Sequence, residues 1–223
     1  MKKLFLTLLF KAIIISGFCG QISFAQSTQP APITLISSEN YERTLDATFT
    51  ETEKKTALRY SVVLRFMPSR NTESEITVQV DNKGQVHATL STVTGTSVWN
   101  LANEYIQRTG IFNLEEITRR VQVRRQEISI DSTKASIWHS EALKSLGQTS
   151  IELQQDFIQL QKTGEVTIFL DGSIYEMRFT QGVTEIRCAV MDAEVDDHKV
   201  TGRSSLVKWM NSVRLNFWEH AKK

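Results

Sequence analysis

The sequence predicts an α+β fold: an antiparallel hairpin and a three-stranded meander, a helical middle segment and an amphipathic C-terminal helix. Three observations predict it. Apolar and polar residues alternate over 60–66, 76–90 and 165–190, the period of a half-buried strand. Apolar residues recur at three- and four-residue steps over 98–106, 134–160 and 206–217, the period of a helix. Glycine and Asx turn signals bound these stretches. With 40% hydrophobic and 23% charged residues, only three prolines and ten glycines, the chain is excluded from the disordered, collagenous and low-complexity classes.

Residues 1–25 read as a signal peptide. Lys2, Lys3 and Lys11 form a positive region, Ala12 to Phe18 an apolar stretch, and Ser23-Phe24-Ala25 a small-x-small exit. Cleavage after Ala25 leaves Gln26 first and places the protein in the periplasm or outside the cell. An uncleaved anchor over 4–24 would bury Lys11 in mid-span, at a cost of roughly 2.5–3.5 kcal/mol. Lipid attachment at Cys19 is disfavoured by Phe18, where a small residue should stand. Removing the signal takes three lysines and no acid, so the formal charge of +1 becomes −2. That balance argues against a general nucleic-acid binder. Cys188 is then the only cysteine, and no internal disulfide can form. It alternates with Thr184, Ile186 and Val190, as a small buried hydrophobe would.

Residues 26–34 (QSTQPAPIT) form a polar leader, and 35–223 a single α+β domain. Tyr60, Val62, Leu64 and Phe66 line one face of a first strand. Ile76, Val78 and Val80, then Asn82-Lys83-Gly84, then Val86, Ala88 and Leu90 predict a hairpin closed by a three-residue loop. Its register sets Val80 opposite Val86, Val78 opposite Ala88 and Ile76 opposite Leu90. Asp171-Gly172 predicts a second hairpin with Ile168 opposite Tyr175 and Val166 opposite Met177. A turn at Gln181-Gly182 sets Tyr175 opposite Cys188, Glu176 opposite Arg187 and Arg178 opposite Glu185.

Five helices are predicted between and after these strands. Thr96 or Ser97 caps a helix striped by Val98, Leu101, Ala102, Tyr105 and Ile106, with Gly110 as its stop. Asn113 and Glu116 form a capping arrangement for the next. Ala135, Trp138, Ala142 and Leu146 stripe a third, ended by Gly147; Thr149 and Glu152 cap a separate helix that carries Leu153, Phe157 and Leu160. The chain closes on a helix from Ser204 to Lys222, with Leu206, Trp209, Met210, Val213 and Phe217 on one face against the sheet.

Several segments resemble motifs that carry function. Residues 114–130 resemble a helix-turn-helix through Leu114, Ile117, Val121, Val123 and Ile128, departing at the turn, where Gln122 replaces glycine. The alternatives are a packed helical corner and a helix running into an arginine-flanked strand. Gly95-Thr96-Ser97-Val98-Trp99 with Leu101-Ala102 resembles the lysin motif, a family that binds amino-sugar polymers of the cell wall; here the spacer is longer and the closing asparagine-rich turn is missing. Asp192, Glu194 and Asp196 are similar to the start of an EF-hand loop, but its sixth and twelfth positions hold Asp197 and Arg203.

Arg119, Arg120, Arg124 and Arg125 form a local basic cluster and are the candidate partner-binding residues, for an anionic envelope surface, polymer or protein. His87, His139, His198 and His220 are scattered without a metal-binding or nucleophile motif, and His139 is expected at a helix surface or edge. No catalytic, metal or cofactor-binding residue is assigned. The function expected is a non-catalytic exported protein that binds a partner or envelope polymer. The alternative is an extracytoplasmic hydrolase whose site assembles only in the fold.

Overall fold

The computed structural model describes residues 35–50, 58–163, 172–192, 200 and 202–221. In chain order these form α1 (Ser38–Phe49), β1 (Leu58–Met67), β2 (Ser74–Asp81), β3 (Val86–Thr94), α2 (Val98–Thr109), α3 (Leu114–Thr118), β4 (Gln122–Glu127), α4 (Ser132–Thr163), β5 (Ser173–Gln181), β6 (Thr184–Asp192) and α5 (Ser205–Ala221). The strands make one six-stranded antiparallel sheet in the order β4-β3-β2-β1-β5-β6. The class is α+β, as the sequence predicts.

The β2–β3 hairpin has the predicted register, Val80 facing Val86, Val78 facing Ala88 and Ile76 facing Leu90. Asp81 fixes it twice. Its backbone N–H donates to the Gln85 carbonyl at 3.0 Å, and its carboxylate accepts the N–H groups of Lys83 and Gln85 at 2.8 Å each. Gly84 completes the loop at φ +81°, where a side chain would strain the backbone.

The second hairpin corrects the predicted register by two residues. Tyr175 faces Val190, Met177 faces Cys188 and Gln181 faces Thr184, so Gly182 and Val183 are the two loop residues. The cause is the turn: Gly182 alone takes positive φ (58°), and a two-residue loop with that geometry needs its glycine first. A two-residue slip keeps every side chain on its face, so the apolar face survives the correction. The predicted charge pairs are not directly opposite, although Glu176 and Arg187 still meet diagonally at 2.6 Å. Arg178 faces Arg187 directly and Glu176 faces Ala189. The expected hairpin of Val166 and Ile168 with β5 is also corrected, because β1 and β6 occupy both edges of β5. Residues 164–171 themselves lie outside the described residues.

One face of the sheet carries the main core, where α4 and α5 cover Val62, Leu64, Ile76, Val78, Leu90 and Met177. Leu206, Val207, Met210, Val213 and Phe217 line the inner side of α5, as its stripe predicts. The two helices predicted over 134–164 are a single one of 32 residues, and Gly147 does not end it. A mid-helix glycine costs only about 1 kcal/mol against alanine, less than the packing of Ala142, Leu146 and Trp138 returns. Thr149 and Glu152 cap a different helix. The Thr149 hydroxyl accepts the Leu206 N–H at 2.8 Å, and Glu152 accepts the N–H and hydroxyl of Ser205 at 2.9 and 2.6 Å. Asp192 takes the N–H groups of Arg203 and Ser204. The exposed donors at the start of α5 are thus met by three side chains from α4 and β6.

The opposite face is covered too, by elements the sequence reading only partly found. Helices α2 and α3 start at Ser97 and Asn113 as predicted, and α2 ends on left-handed Gly110. Helix α1 was not predicted; it lays Leu45 and Phe49 against Met67, Val93 and Val98. The helix-turn-helix resemblance over 114–130 fails, because 122–127 is a strand hydrogen-bonded to β3. Gln122 begins that strand, where the motif requires a turn glycine.

Replacing Thr149 by valine keeps shape and strands the buried Leu206 N–H. Urea unfolding should show a loss of about 1–3 kcal/mol. A loss below 0.5 kcal/mol would mean that another group takes over the cap.

Candidate functional site

The predicted basic cluster does not converge. Arg119 pairs with Glu116 at 2.7 Å on the surface of α3. Arg120 lies over the Tyr105 ring, 5.4 Å from its centroid, where Arg108 of α2 also sits at 5.9 Å. Strand alternation sends Arg124 and Arg125 to opposite faces of β4. Arg125 reaches the Thr48 carbonyl at the end of α1 at 3.0 Å. The sequence reading missed Arg108, whose place beside Arg120 depends on how α2 packs on α3.

Below α1 lies the most charged interior of the protein. Arg65, 3% exposed, stands near the C-terminal end of β1 with Glu75 directly opposite on β2 and Glu176 directly opposite on β5. Its Nε and Nη2 donate to Glu75 Oε2 at 3.0 and 2.7 Å, and Nη1 donates to Asp46 of α1 at 3.0 Å. Arg178 reaches Asp46 and Glu176, and Arg187 reaches Glu176 and Glu42. Glu176 is therefore the shared anion that lets Arg178 and Arg187 face each other. Burial pushes the Asp46 carboxyl up, but Arg178 and Arg65 outweigh it and hold it below the usual carboxylate range. Glu75 is raised, because its deeper burial exceeds the pull of Arg65. Tyr41 is pushed far up by burial and by Glu73, which accepts its hydroxyl at 2.7 Å. Glu73 also caps α2, accepting the Val98 N–H at 2.9 Å. These groups are occupied with one another, so their arrangement fixes α1 and α2 on the sheet.

His139 lies at the edge of its helix's buried stripe, the second of the two places expected for it. It is half buried, its ring 4.5 Å from Tyr60 and 5.0 Å from Phe179, and its buried Nε2 has no hydrogen-bond partner among the described residues. Burial against those rings and the nearby charge of Arg59 lower its pKa. It borders a cavity of about 10 Å³ beside Trp138 and Trp209. His87 is exposed opposite Gln79, as predicted. Cys188 is half buried against the main core, and burial raises its thiol pKa. Among the described residues, no three His, Cys, Asp or Glu side chains gather to hold a metal ion. Asp192 is engaged in capping, and 193–199 lie outside the described residues.

The largest unsatisfied surface is on α4. Ile137, Leu143, Ile151, Leu153, Phe157 and Ile158 are all exposed, by 37–59%. Leu153 and Phe157 continue at four-residue steps the stripe that Trp138, Ala142, Leu146 and Thr149 bury. Ile137, Ile151 and Ile158 lie on the outer face at multiples of seven residues, with exposed Ser140, Lys144 and Gly147 between them. An open depression of about 550 Å³, lined by Arg59, Ser132, Ser136, Ile137 and Ser140, adjoins the N-terminal end of this face. No helix of the described residues is long and apolar enough to cross a membrane.

Comparison of the chain with protein-family models, with curated proteins and with solved structures finds no match.

Two substitutions probe the interior. Arg65→Met leaves Glu75 and Glu176 buried without their cation and should cost about 3–5 kcal/mol by urea unfolding. A loss under 1 kcal/mol would show that the acids are solvated or take up protons at no cost.

His139 gives the fold an acid-sensitive component. Its folded pKa lies below the ordinary 6.5, so the unfolded chain binds the proton first as pH falls. The stability is fully present above pH 6.5 and declines towards the lowered folded value. Glu75, raised in the fold, works in the opposite direction, and Asp46 acts only below its ordinary 3.8. The His139→Phe protein should therefore lose less Tm than the parent between pH 7.5 and 5.5, read by thermal melts. Parallel losses would remove the imidazole as their cause.

Proposed function

We propose that this is an exported, non-catalytic protein that binds a protein partner through helix α4. The observation that carries this reading is the six exposed apolar side chains on one helix. Isolated apolar residues on a surface need no explanation, but six on one helix, three of them spaced by multiples of seven on its outer face, are a surface of the kind a partner covers. The surroundings fit a protein rather than a charged polymer. Gln148, Gln154, Gln155, Gln159 and Gln161 flank the apolar residues, and few charges interrupt them. The positively charged start, apolar stretch and Ser23-Phe24-Ala25 exit support export to the periplasm or beyond.

A second reading keeps an anionic envelope polymer or surface as the partner. Its support is the pair Arg108 and Arg120 over the exposed side of the α2–α3 corner, beside Arg119. Binding there would weaken with salt.

The protein recovered from its own envelope should begin at Gln26 and, used as bait, should retain a partner. Ile151→Glu with Phe157→Glu should reduce that retention at least tenfold, with an unchanged melting point. Changing Arg119, Arg120, Arg124 and Arg125 to glutamine should leave it intact. The reverse pattern would overturn the α4 reading in favour of the basic corner, and an intact Met1 in the cytoplasm would overturn export.

A further inference from the structure

We infer that residues 132–146, the first half of α4, form a flap that acid releases from the sheet, with His139 as its latch and Gly147 as its hinge. The device does not depend on what α4 binds. His139 stands where α4 meets the sheet, its ring 4.5 Å from Tyr60 of β1 and 5.0 Å from Phe179 of β5. Its Nε2 is buried without a hydrogen-bond partner among the described residues, beside a void walled by aliphatic side chains and by Trp138 and Trp209. A proton on that nitrogen is a buried charge with no acceptor. The surrounding groups do not offset it. Tyr60 presents its ring, and the charge of Arg59 on β1 repels an imidazolium. Arg178 of β5 is on the opposite face, held by Asp46 and Glu176. From β2 and α5 the void meets Val78, Trp209 and Val213. On α4 itself Lys134 lies over Trp138, and Glu141 is taken up by Trp209 Nε1 at 3.1 Å. The imidazole therefore gains its proton by leaving the seam.

Two joints let it leave. The φ of Gly147 is not positive, and a Cβ built there would meet nothing within 4 Å, so no contact inside the chain requires a glycine. It faces solvent, the side on which α4 must close as its first half tilts off the sheet. A glycine leaves helical geometry about 1 kcal/mol more readily than an alanine, and it puts no side chain in the crease. Just beyond it, Thr149 and Glu152 pin α4 to the start of α5 with hydrogen bonds of 2.6–2.9 Å. The bend thus falls at the border of a pinned half. The second joint is 129–131, which lead from β4 into α4 without regular structure. Between the joints the fully buried side chains are two alanines, Ala135 and Ala142, so the flap gives up little packing when it tilts.

The test is thiol labelling of the full chain with Cys19 and Cys188 replaced by alanine. A single cysteine is placed at Ala142 or Ala135 under the flap, or at Val93 in the core of the opposite face. Rates are divided by that of Gln107→Cys, exposed on α2, at the same pH, which removes the titration of the thiol itself. Opening returns His139 to its ordinary 6.5, so the open population should rise several-fold, to at most about tenfold, between pH 7.5 and 5.5. Ala142→Cys and Ala135→Cys should follow that rise, and Val93→Cys should stay protected. Adding His139→Phe should abolish the rise. Adding Gly147→Ala should slow labelling under the flap about fivefold at both pH values and leave Val93→Cys unchanged. A rise that persists with His139→Phe would overturn the latch. Equal rises at 142 and 93, or no effect of Gly147→Ala, would overturn the hinged flap.

Discussion

Arg65 is the residue on which the arrangement of the sheet and its first helix depends. It sits near the C-terminal end of β1, and both adjacent strands place an acid directly opposite it, Glu75 on one side and Glu176 on the other. A guanidinium at 3% exposure is tolerable only when every strong donor finds an acceptor. The sheet supplies two acids, and α1 must bring the third, Asp46. The position of α1 is therefore set by charge as much as by Leu45 and Phe49. Because Asp46 also holds Arg178, and Glu176 holds both Arg178 and Arg187, the ties run from β2 to the edge strand β6. Such a network specifies register better than it adds stability, since an apolar set of equal volume would cost less to bury.

The other face follows a geometric constraint. The chain must pass from β4, at one edge, to β5, four strands away, and α4 makes that crossing. A helix of 32 residues is about 48 Å long, whereas six strands span about 24 Å and the ten-residue β1 about 34 Å. No orientation of α4 keeps its whole length over the sheet. Thr149 and Glu152 hydrogen-bond the start of α5, and beyond them Leu153, Phe157 and Ile158 are exposed. Exposed apolar residues on this helix thus follow from its length, and their regular spacing on the outer face does not.

Legibility in the sequence followed the range of the interactions. The β2–β3 register was readable because Asp81, Gly84 and the alternation are all local and agree. So were the starts of α2 and α3, since Ser97 and Asn113 cap helices within three residues. The β5–β6 register was missed by two residues because Gln181-Gly182 and Gly182-Val183 place the glycine differently in the turn, a choice that apolar alternation does not distinguish. Helix α1 was missed because Tyr41, Leu45 and Phe49 are a thin stripe among charges, and the partners of Asp46 and Glu42 lie nineteen or more residues away in sequence. Gly147 misled because its cost is local and the packing that overrides it is not. The arginines were visible as a cluster in sequence, but alternation in β4 divides them in space.

That division gives Arg124 and Arg125 a different role. Among the described strands β4 lies at an edge of the sheet, and an edge strand pairs readily with strands of other molecules. Two exposed guanidinium groups on opposite faces make a flat approach by another strand unfavourable, because their charges would be repelled by a second copy of the same edge. On β6, the other edge, Glu185 and Arg187 are likewise exposed. Both edges of the sheet thus carry charge where self-association would use backbone hydrogen bonds. Helix α4 carries isoleucines, glutamines and a glycine where association would use side-chain packing. The arginines that stand together in sequence are divided between the two faces of an edge strand in the fold, away from the exposed apolar side chains of α4.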